Sequence, residues 1–210
     1  MRPLFIVLEG LDGSGTSTQA RLLVEYLENE LDQRVRPTSE PSSGPIGQLI
    51  RTAMSGRMRF SSDIHVFDRQ TAFLFAADRH DHLYNDTNGI LQLISQGYFV
   101  VSTRYLFSSY AYHCTTDSDF ELVRSLNSIF PNPDLTVYLD ISVETSLSRL
   151  ERRASLDRYK NAEKLSVVRT NYEKMFSSYG GRLLSLSGEK MREQIHSEIV
   201  SELMRIYSYD

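Results

Sequence analysis

The segment Gly10-Leu11-Asp12-Gly13-Ser14-Gly15-Thr16-Ser17 constrains this chain more than any other. It follows a short apolar run, Leu4 to Leu8, closed by Glu9. It precedes residues whose apolar positions, Leu22, Leu23, Tyr26 and Leu27, fall at helical spacing. A strand, a glycine turn and a helix in that order turn backbone N–H groups inward around phosphate oxygens, with the helix dipole behind them. The spacing matches G-x-x-x-x-G-K-[ST] at Gly10, Gly15 and Ser17, and Ser17 would set a hydroxyl on Mg²⁺. The remaining position departs, because Thr16 stands where that motif has lysine. These residues fit a weakened phosphate site better than a glycine turn that binds nothing. The loop candidates are Gly10, Gly13, Ser14, Gly15, Thr16, Ser17 and Thr18.

The rest of the chain supplies the sheet such a loop needs. Strand patterns are expected at Leu4 to Leu8, around Val35 with Pro37 and Pro41 ending it, at Tyr98 to Val101, at Leu135 to Leu139, and at Arg182 to Leu186. Helical patterns fill the intervals at Phe73 to Leu83, Ile90 to Ile94, Val143 to Arg152, Lys164 to Tyr179 and Met191 to Tyr207. Alternation of this kind predicts a doubly wound α/β fold, with ligands at the carboxyl ends of a mainly parallel sheet. No repeat or linker divides the chain, so residues 1–210 are read as one domain.

Composition removes several function classes. Lys and Arg total 23 against 27 Asp and Glu, and a net charge of −4 disfavours a broad nucleic-acid-binding surface. The lone Cys114 has no partner for a disulfide or a zinc site. No apolar run approaches the ~18 residues of a membrane helix. The apolar start is too short for a secretory signal, so a cytoplasmic location is the default expectation.

Three further groups of residues carry chemistry. Phe75 and Arg79 lie four apart on one helix face, where they could stack and hydrogen-bond a nucleobase or simply pack and solvate. Arg104 follows the strand at Tyr98 to Val101 and either projects into the ligand crevice or faces solvent; Ser108, Ser109 and Tyr112 follow it. Arg149, Arg152, Arg153 and Arg158 crowd a short stretch that reads either as a solvated helix end or as an arginine-bearing lid at about 150–160. His80 and His82 are two apart and point in different directions, and His113 lacks further ligands, so all the histidines are read as structural or surface residues.

Taken together and in order, these motifs resemble the thymidylate kinase family of nucleoside monophosphate kinases. The resemblance runs through Phe5-Ile6-Val7-Leu8-Glu9-Gly10-Leu11-Asp12-Gly13-Ser14-Gly15 and Glu40-Pro41 with Pro45-Ile46-Gly47. It continues through Leu74-Phe75-Ala76-Ala77-Asp78-Arg79, Arg104-Tyr105 with Ser108-Ser109-Tyr110-Ala111-Tyr112, Pro133-Asp134 with Leu135 to Asp140, and Leu156-Asp157-Arg158-Tyr159. It implies a P-loop kinase fold of three layers, a five-stranded parallel sheet flanked by helices with a short lid. The implied reaction is ATP- and Mg²⁺-dependent phosphorylation of dTMP to dTDP, toward dTTP, by a homodimer. It places Phe75 on the thymine ring, Arg79 at its edge, and Ser108, Ser109 and Tyr112 around the pocket. It also places Asp12 near the sugar 3′-hydroxyl and Arg104 between the dTMP phosphate and the γ-phosphate, with Arg149, Arg153 and Arg158 as lid arginines that supply catalytic charge.

The sequence departs from that family at three positions. Thr16 replaces the loop lysine, Thr103 an aspartate before Arg104, and Ser39 an arginine before Glu40-Pro41. Loss of one preorganised donor typically costs about 10²–10³ in rate, whereas an arginine finger is worth ~10³–10⁵. An active kinase with a compensating lid is the leading expectation. The alternatives are a catalytically impaired nucleotide-binding homologue acting as sensor or partner, and a kinase for another pyrimidine deoxynucleotide.

Overall fold

The computed structural model describes residues 1–151 and 158–208, without the side chains of residue 151 and residues 158–161. Five strands form one all-parallel sheet: β1 (Phe5–Gly10), β2 (Val35–Ser39), β3 (Phe99–Thr103), β4 (Leu135–Asp140) and β5 (Leu183–Ser187), in spatial order β2-β3-β1-β4-β5. The helices are α1 (Thr16–Asn29), α2 (Pro45–Met54), α3 (Ile64–Tyr84), α4 (Ile90–Ser95), α5 (Leu106–His113), α6 (Asp117–Asn127), α7 (Val143–Glu151), α8 (Arg158–Phe176) and α9 (Arg192–Ser208).

Strand alternation sorts the core into two layers. Leu4, Ile6 and Leu8 of the first strand and its approach, with Phe99 and Val101 of β3, point to the face covered by α1 and α9. Phe5, Val7 and Val100 point the other way, into a cluster completed by α3, α5 and α8. Burial on both faces explains why β1 is apolar without alternation, and all six of its residues are buried. The three-layer α/β/α arrangement follows.

Element boundaries shift from the sequence reading for local reasons. Pro37 does not end β2, because β2 is an edge strand; Pro37 lies in register with Val101 and the strand runs on to Ser39. Helix α3 begins at Ile64, nine residues before the expected Phe73, where the Asp63 carboxylate accepts from the N–H groups of His65 and Val66. Helix α8 starts earlier than Lys164 and stops at Phe176. Helices α2, α5 and α6 have no counterpart among the helical patterns read from sequence.

Chain order sets the position of the site. From β3 the chain crosses over β1 to β4 on the far side, so the direction of winding reverses beside β1. The loops leaving β1 and β3 therefore part at their carboxyl ends and open a crevice there. Those loops are Leu11 to Gly15 and Arg104-Tyr105.

Candidate active site

The loop after β1 takes the conformation a phosphate cradle requires. Gly15 caps α1 at φ 100°, a left-handed conformation costly for a side chain, and among the described residues nothing lies within 4 Å of where its Cβ would be. A Cβ on Gly10 would sit 2.5 Å from Ser14 Oγ and 2.6 Å from the Leu139 carbonyl, so glycine there permits close packing against β4. Among the described residues the N-terminus of α1 has no side-chain cap and no acidic residue in its first turn, leaving its N–H groups available to an anion. A cavity of about 260 Å³ opens over it, lined by Gly13, Gly15, Thr16, Ser17 and Thr18, with Asp12, Glu40, Thr103, Arg104 and Leu150. Ser14 instead turns inward and is buried.

Across the crevice stands Arg104, at φ 71°, an uncommon conformation for a residue with a side chain. Its neighbours hold it there. Its N–H donates to the Leu8 carbonyl at 2.9 Å, and the next N–H, of Tyr105, donates to Glu9 Oε1 at 2.7 Å. The guanidinium donates to Asp12 at 2.6 Å, Ser108 Oγ at 3.1 Å, and the hydroxyls of Tyr112 and Tyr172 at 3.3 Å each. Burial opposes its charge, but Tyr112, Tyr172, Asp12 and Glu9 together outweigh burial and keep it firmly protonated. Glu9 is fully buried and accepts from Ser108 Oγ at 2.7 Å and the Tyr172 hydroxyl at 2.8 Å. Burial raises its pKa, against the partial relief of Arg104 and these hydrogen bonds.

A second cavity, of about 320 Å³, adjoins the first. Phe75, Ser108, Ser109, Tyr112 and His113 line it with Asp68, Thr71 and Lys164, and it shares Asp12, Glu40 and Arg104 with the phosphate side. Thus α5, unforeseen from sequence, brings Ser108, Ser109, Tyr112 and His113 to one wall, while α3 presents Phe75 opposite. Burial raises the Tyr112 pKa to about 12, so its hydroxyl stays protonated.

Arg79 is placed differently from the expectation that it meets a base edge. It is fully buried behind the wall, 2.6 Å from Glu40 Oε2 and 3.2 Å from Ser109 Oγ, and it also donates to Asn127. Its neighbour Asp78 accepts from the N–H and hydroxyl of Ser42 at 2.7 and 2.6 Å. The Asp78-Arg79 and Glu40-Pro41-Ser42 segments are therefore two halves of one buried contact that joins α3 to the loop after β2. His82 belongs to it too, with Thr38 Oγ1 at 2.6 Å.

Arg149 also sits apart from the phosphate cavity. Its two terminal nitrogens donate to the carbonyls of Gly13 and Gly188, at 3.0 and 3.1 Å, so it braces the glycine loop from behind. Arg153 and the side chain of Arg158 lie outside the described residues, as does most of the expected lid. The three departures meet in space. Ser39 is the register partner of Thr103, and Thr103 lines the same cavity as Thr16.

The residues missed by sequence reasoning are Glu9, Tyr172, His113 and Lys164. Only Glu9 carried a visible signal, an acid closing an otherwise apolar strand.

The donor set suits a nucleoside triphosphate and magnesium. The uncapped helix end and the left-handed glycines fit phosphate oxygens. Ser17 offers a hydroxyl in that cavity to a magnesium ion held mainly by substrate phosphates. A phosphate loop facing a second nucleotide-sized cavity across a shared arginine is the arrangement of a nucleoside monophosphate kinase.

The comparisons with known proteins narrow the class. The family model described as Thymidylate kinase matches residues 8–199. The chain is 37% identical over 202 residues to a "Probable thymidylate kinase" of Pyrococcus horikoshii, covering 96% of each chain. It is 35% identical over 205 residues to one of Methanococcus aeolicus, covering 95% of each. It is 35% identical over 206 residues to one of Pyrobaculum aerophilum, covering 98% of each. The chain belongs to the thymidylate kinase family, phosphotransferases that use ATP to phosphorylate dTMP.

Proposed function

We propose that this chain transfers the γ-phosphoryl group of ATP to the phosphate of dTMP, with Arg104 as the group that bridges donor and acceptor. One observation carries this reading: the phosphate-loop cavity and the Phe75 cavity meet at Asp12, Glu40 and Arg104. An acceptor phosphate at the mouth of the second cavity lies beside a donor phosphate in the first, which is the positioning that phosphoryl transfer chiefly needs.

Phe75 stacks on the base, Ser109 and Tyr112 bound the pocket, and Asp12 accepts from the sugar 3′-hydroxyl. Arg104 holds the acceptor phosphate in line, kept charged by its ring of partners. The N–H groups of Gly13 to Thr18 bind the donor phosphates, and Ser17 presents its hydroxyl to the metal. Ser17 would hold Mg²⁺ through that hydroxyl, and the metal would supply positive charge against the charge developing on the transferred phosphate. Arg153 and Arg158, on a lid at about 150–160, supply the cation that Thr16 does not. Arg149 acts as a positioning residue through Gly13. Thr16, Thr103 and Ser39 form one coupled change, in which cations and the acid that faced them are lost together. The chain works as a single domain and, by default, in the cytoplasm; as the resemblance implies, it works as a homodimer, and sedimentation of the pure protein reads that last point.

A coupled ADP-release assay with dTMP, ATP and Mg²⁺ tests the activity. Turnover dependent on all three is expected. No turnover above background at high enzyme concentration would falsify the reading and leave a nucleotide-binding homologue.

A further inference from the structure

Tyr172 reaches Arg104 from α8, across 68 residues of chain. Its buried ring belongs to an aromatic cluster, stacked on Phe176 with centroids 5.8 Å apart and 5.2 Å from the ring of Tyr138. Its neighbours on α8 fix that helix by other contacts. Asn171 Nδ2 donates to the carbonyls of Ala111 and Cys114 at 3.1 and 2.9 Å, and Arg169 donates to both oxygens of Asp140 at 2.9 Å. A phenylalanine at 172 would keep the cluster and leave these anchors in place, so the hydroxyl is surplus to holding α8.

What the hydroxyl does is set by Glu9. Oε2 of Glu9 accepts from the Tyr172 hydroxyl at 2.8 Å and from Ser108 Oγ at 2.7 Å, while Oε1 accepts from the Tyr105 N–H. A hydroxyl has one proton. With both protons spent on Glu9, the two oxygens, 3.1 Å apart, present lone pairs to Arg104. Its Nη1 donates to both, at 3.1 Å to Ser108 and 3.3 Å to Tyr172. A terminal guanidinium nitrogen carries two N–H bonds, so the Nη1 side is fully used. Two acceptors on one nitrogen fix the plane of the guanidinium as well as its direction, whereas one fixes the direction alone. Nη2 is turned the other way, to Tyr112 and to Asp12, which is about half exposed where the two cavities join.

We propose that Tyr172 is a positioning residue for phosphoryl transfer: with Ser108, its hydroxyl pins Nη1 of Arg104 inward and so holds the Nη2 edge toward the acceptor phosphate. The inference rests on the reading that Arg104 binds that phosphate. Orientation of this kind acts on the reaction more than on binding, because phosphoryl transfer depends chiefly on alignment. Glu9 serves the same end one step back, by claiming the proton that would otherwise point at Nη1.

Tyr172→Phe removes the hydroxyl and keeps the ring. In steady-state kinetics kcat should fall about tenfold, the scale of one hydrogen bond to a charged group, with KM for dTMP and for ATP within about twofold. The same substitution in an Arg104→Gln background should change kcat by less than about twofold, because a residue that acts through Arg104 has nothing left to act on. Equal losses in both backgrounds, or an unchanged kcat in Tyr172→Phe, overturn the proposal. Nitrogen-15 NMR of the guanidinium gives a readout independent of turnover. Arg104, assigned by the loss of its signals in Arg104→Gln, should show separate Nη1 and Nη2 resonances in wild type. Exchange between them should be about tenfold faster in Tyr172→Phe, the same hydrogen bond read as a barrier to rotation. Averaged resonances in wild type, or an exchange rate unmoved by the substitution, also overturn it. Absence of turnover in wild type defeats the kinase reading alone, and the exchange rate then decides this inference. Turnover with equal losses in the two backgrounds defeats this inference alone.

Discussion

Arg104 shows how much structure one functional side chain needs. Its left-handed backbone is uncommon for arginine, and the same side chain is flanked by two tyrosines, a serine and an aspartate. Glu9 ties that arrangement to the sheet through the Tyr105 N–H. Replacing Arg104 with Gln keeps a polar planar group and removes the charge. We expect kcat/KM for dTMP to fall about 10²–10³-fold, the usual cost of one preorganised donor, with a lower unfolding temperature as well, because the buried Glu9 loses the charge that partly offsets its burial. A smaller loss would mean that the acceptor phosphate is held elsewhere. Arg153→Ala is expected to lower kcat more than it raises KM, the signature of an interaction made only in the transition state. Equal effects on both would remove Arg153 from that role. Position after a strand made Arg104 legible as a site residue. Its partners Tyr172 and Glu9 were not legible, because residues 163 positions apart in the chain gave no sign of sharing a hydrogen bond.

At the scale of elements, hydrogen bonding at helix ends and buried contacts between segments decide what the pattern of apolar residues leaves open. Helix α6 begins at a reciprocal capping box, Thr116 with Asp119. That signal, Thr116 three residues before Asp119, is legible in the sequence itself. Burial pushes the Asp119 pKa up, but hydrogen bonds from Thr116, Thr115 and Arg69 outweigh it and leave the carboxyl well below the usual range. A depressed pKa adds stability that is present above the ordinary aspartate pKa of about 3.9 and is lost as pH falls through the lower folded value. Asp119→Ala should therefore cost about 1–2 kcal/mol at pH 7. Thermal melts at pH 7 and pH 3 should show the gap from wild type narrowing in acid; a gap that widens in acid would contradict the assignment.

The contact between α3 and the β2 loop makes a different prediction. Glu40 and Arg79 are buried together, so Arg79→Leu leaves a carboxylate without its counterion and should cost about 3–5 kcal/mol. Denaturant unfolding measures it. A loss below ~1 kcal/mol would show that Arg79 faces solvent in solution, as its alternative reading from sequence allowed.

For the whole molecule, the net charge of −4 and the polyanion site are compatible because the site is local. Backbone N–H groups and a few aimed arginines bind phosphate without a basic surface. Ligand linkage reads this directly. At one hundred times its Kd, dTMP should stabilise the fold by about 2.7 kcal/mol, or roughly 5–10 °C in Tm for a chain of this size. dAMP at the same concentration should give no comparable shift. An equal shift with dAMP would show that the Phe75 cavity does not discriminate bases.

The sequence by itself determined the layered α/β class, the five strands and the phosphate loop. Each of these is written in local spacing: apolar runs, helical period and glycines at set intervals. Only the tertiary structure decided which polar residues share a wall. It buried Arg79 against Glu40, turned Arg149 to the back of the loop, set Thr103 beside Ser39 and facing the Thr16 cavity, and delivered His113 to the pocket. Those outcomes depend on sheet order and helix packing, which bring together residues distant in the chain. A linear pattern carries no record of the burial and hydrogen bonding that result.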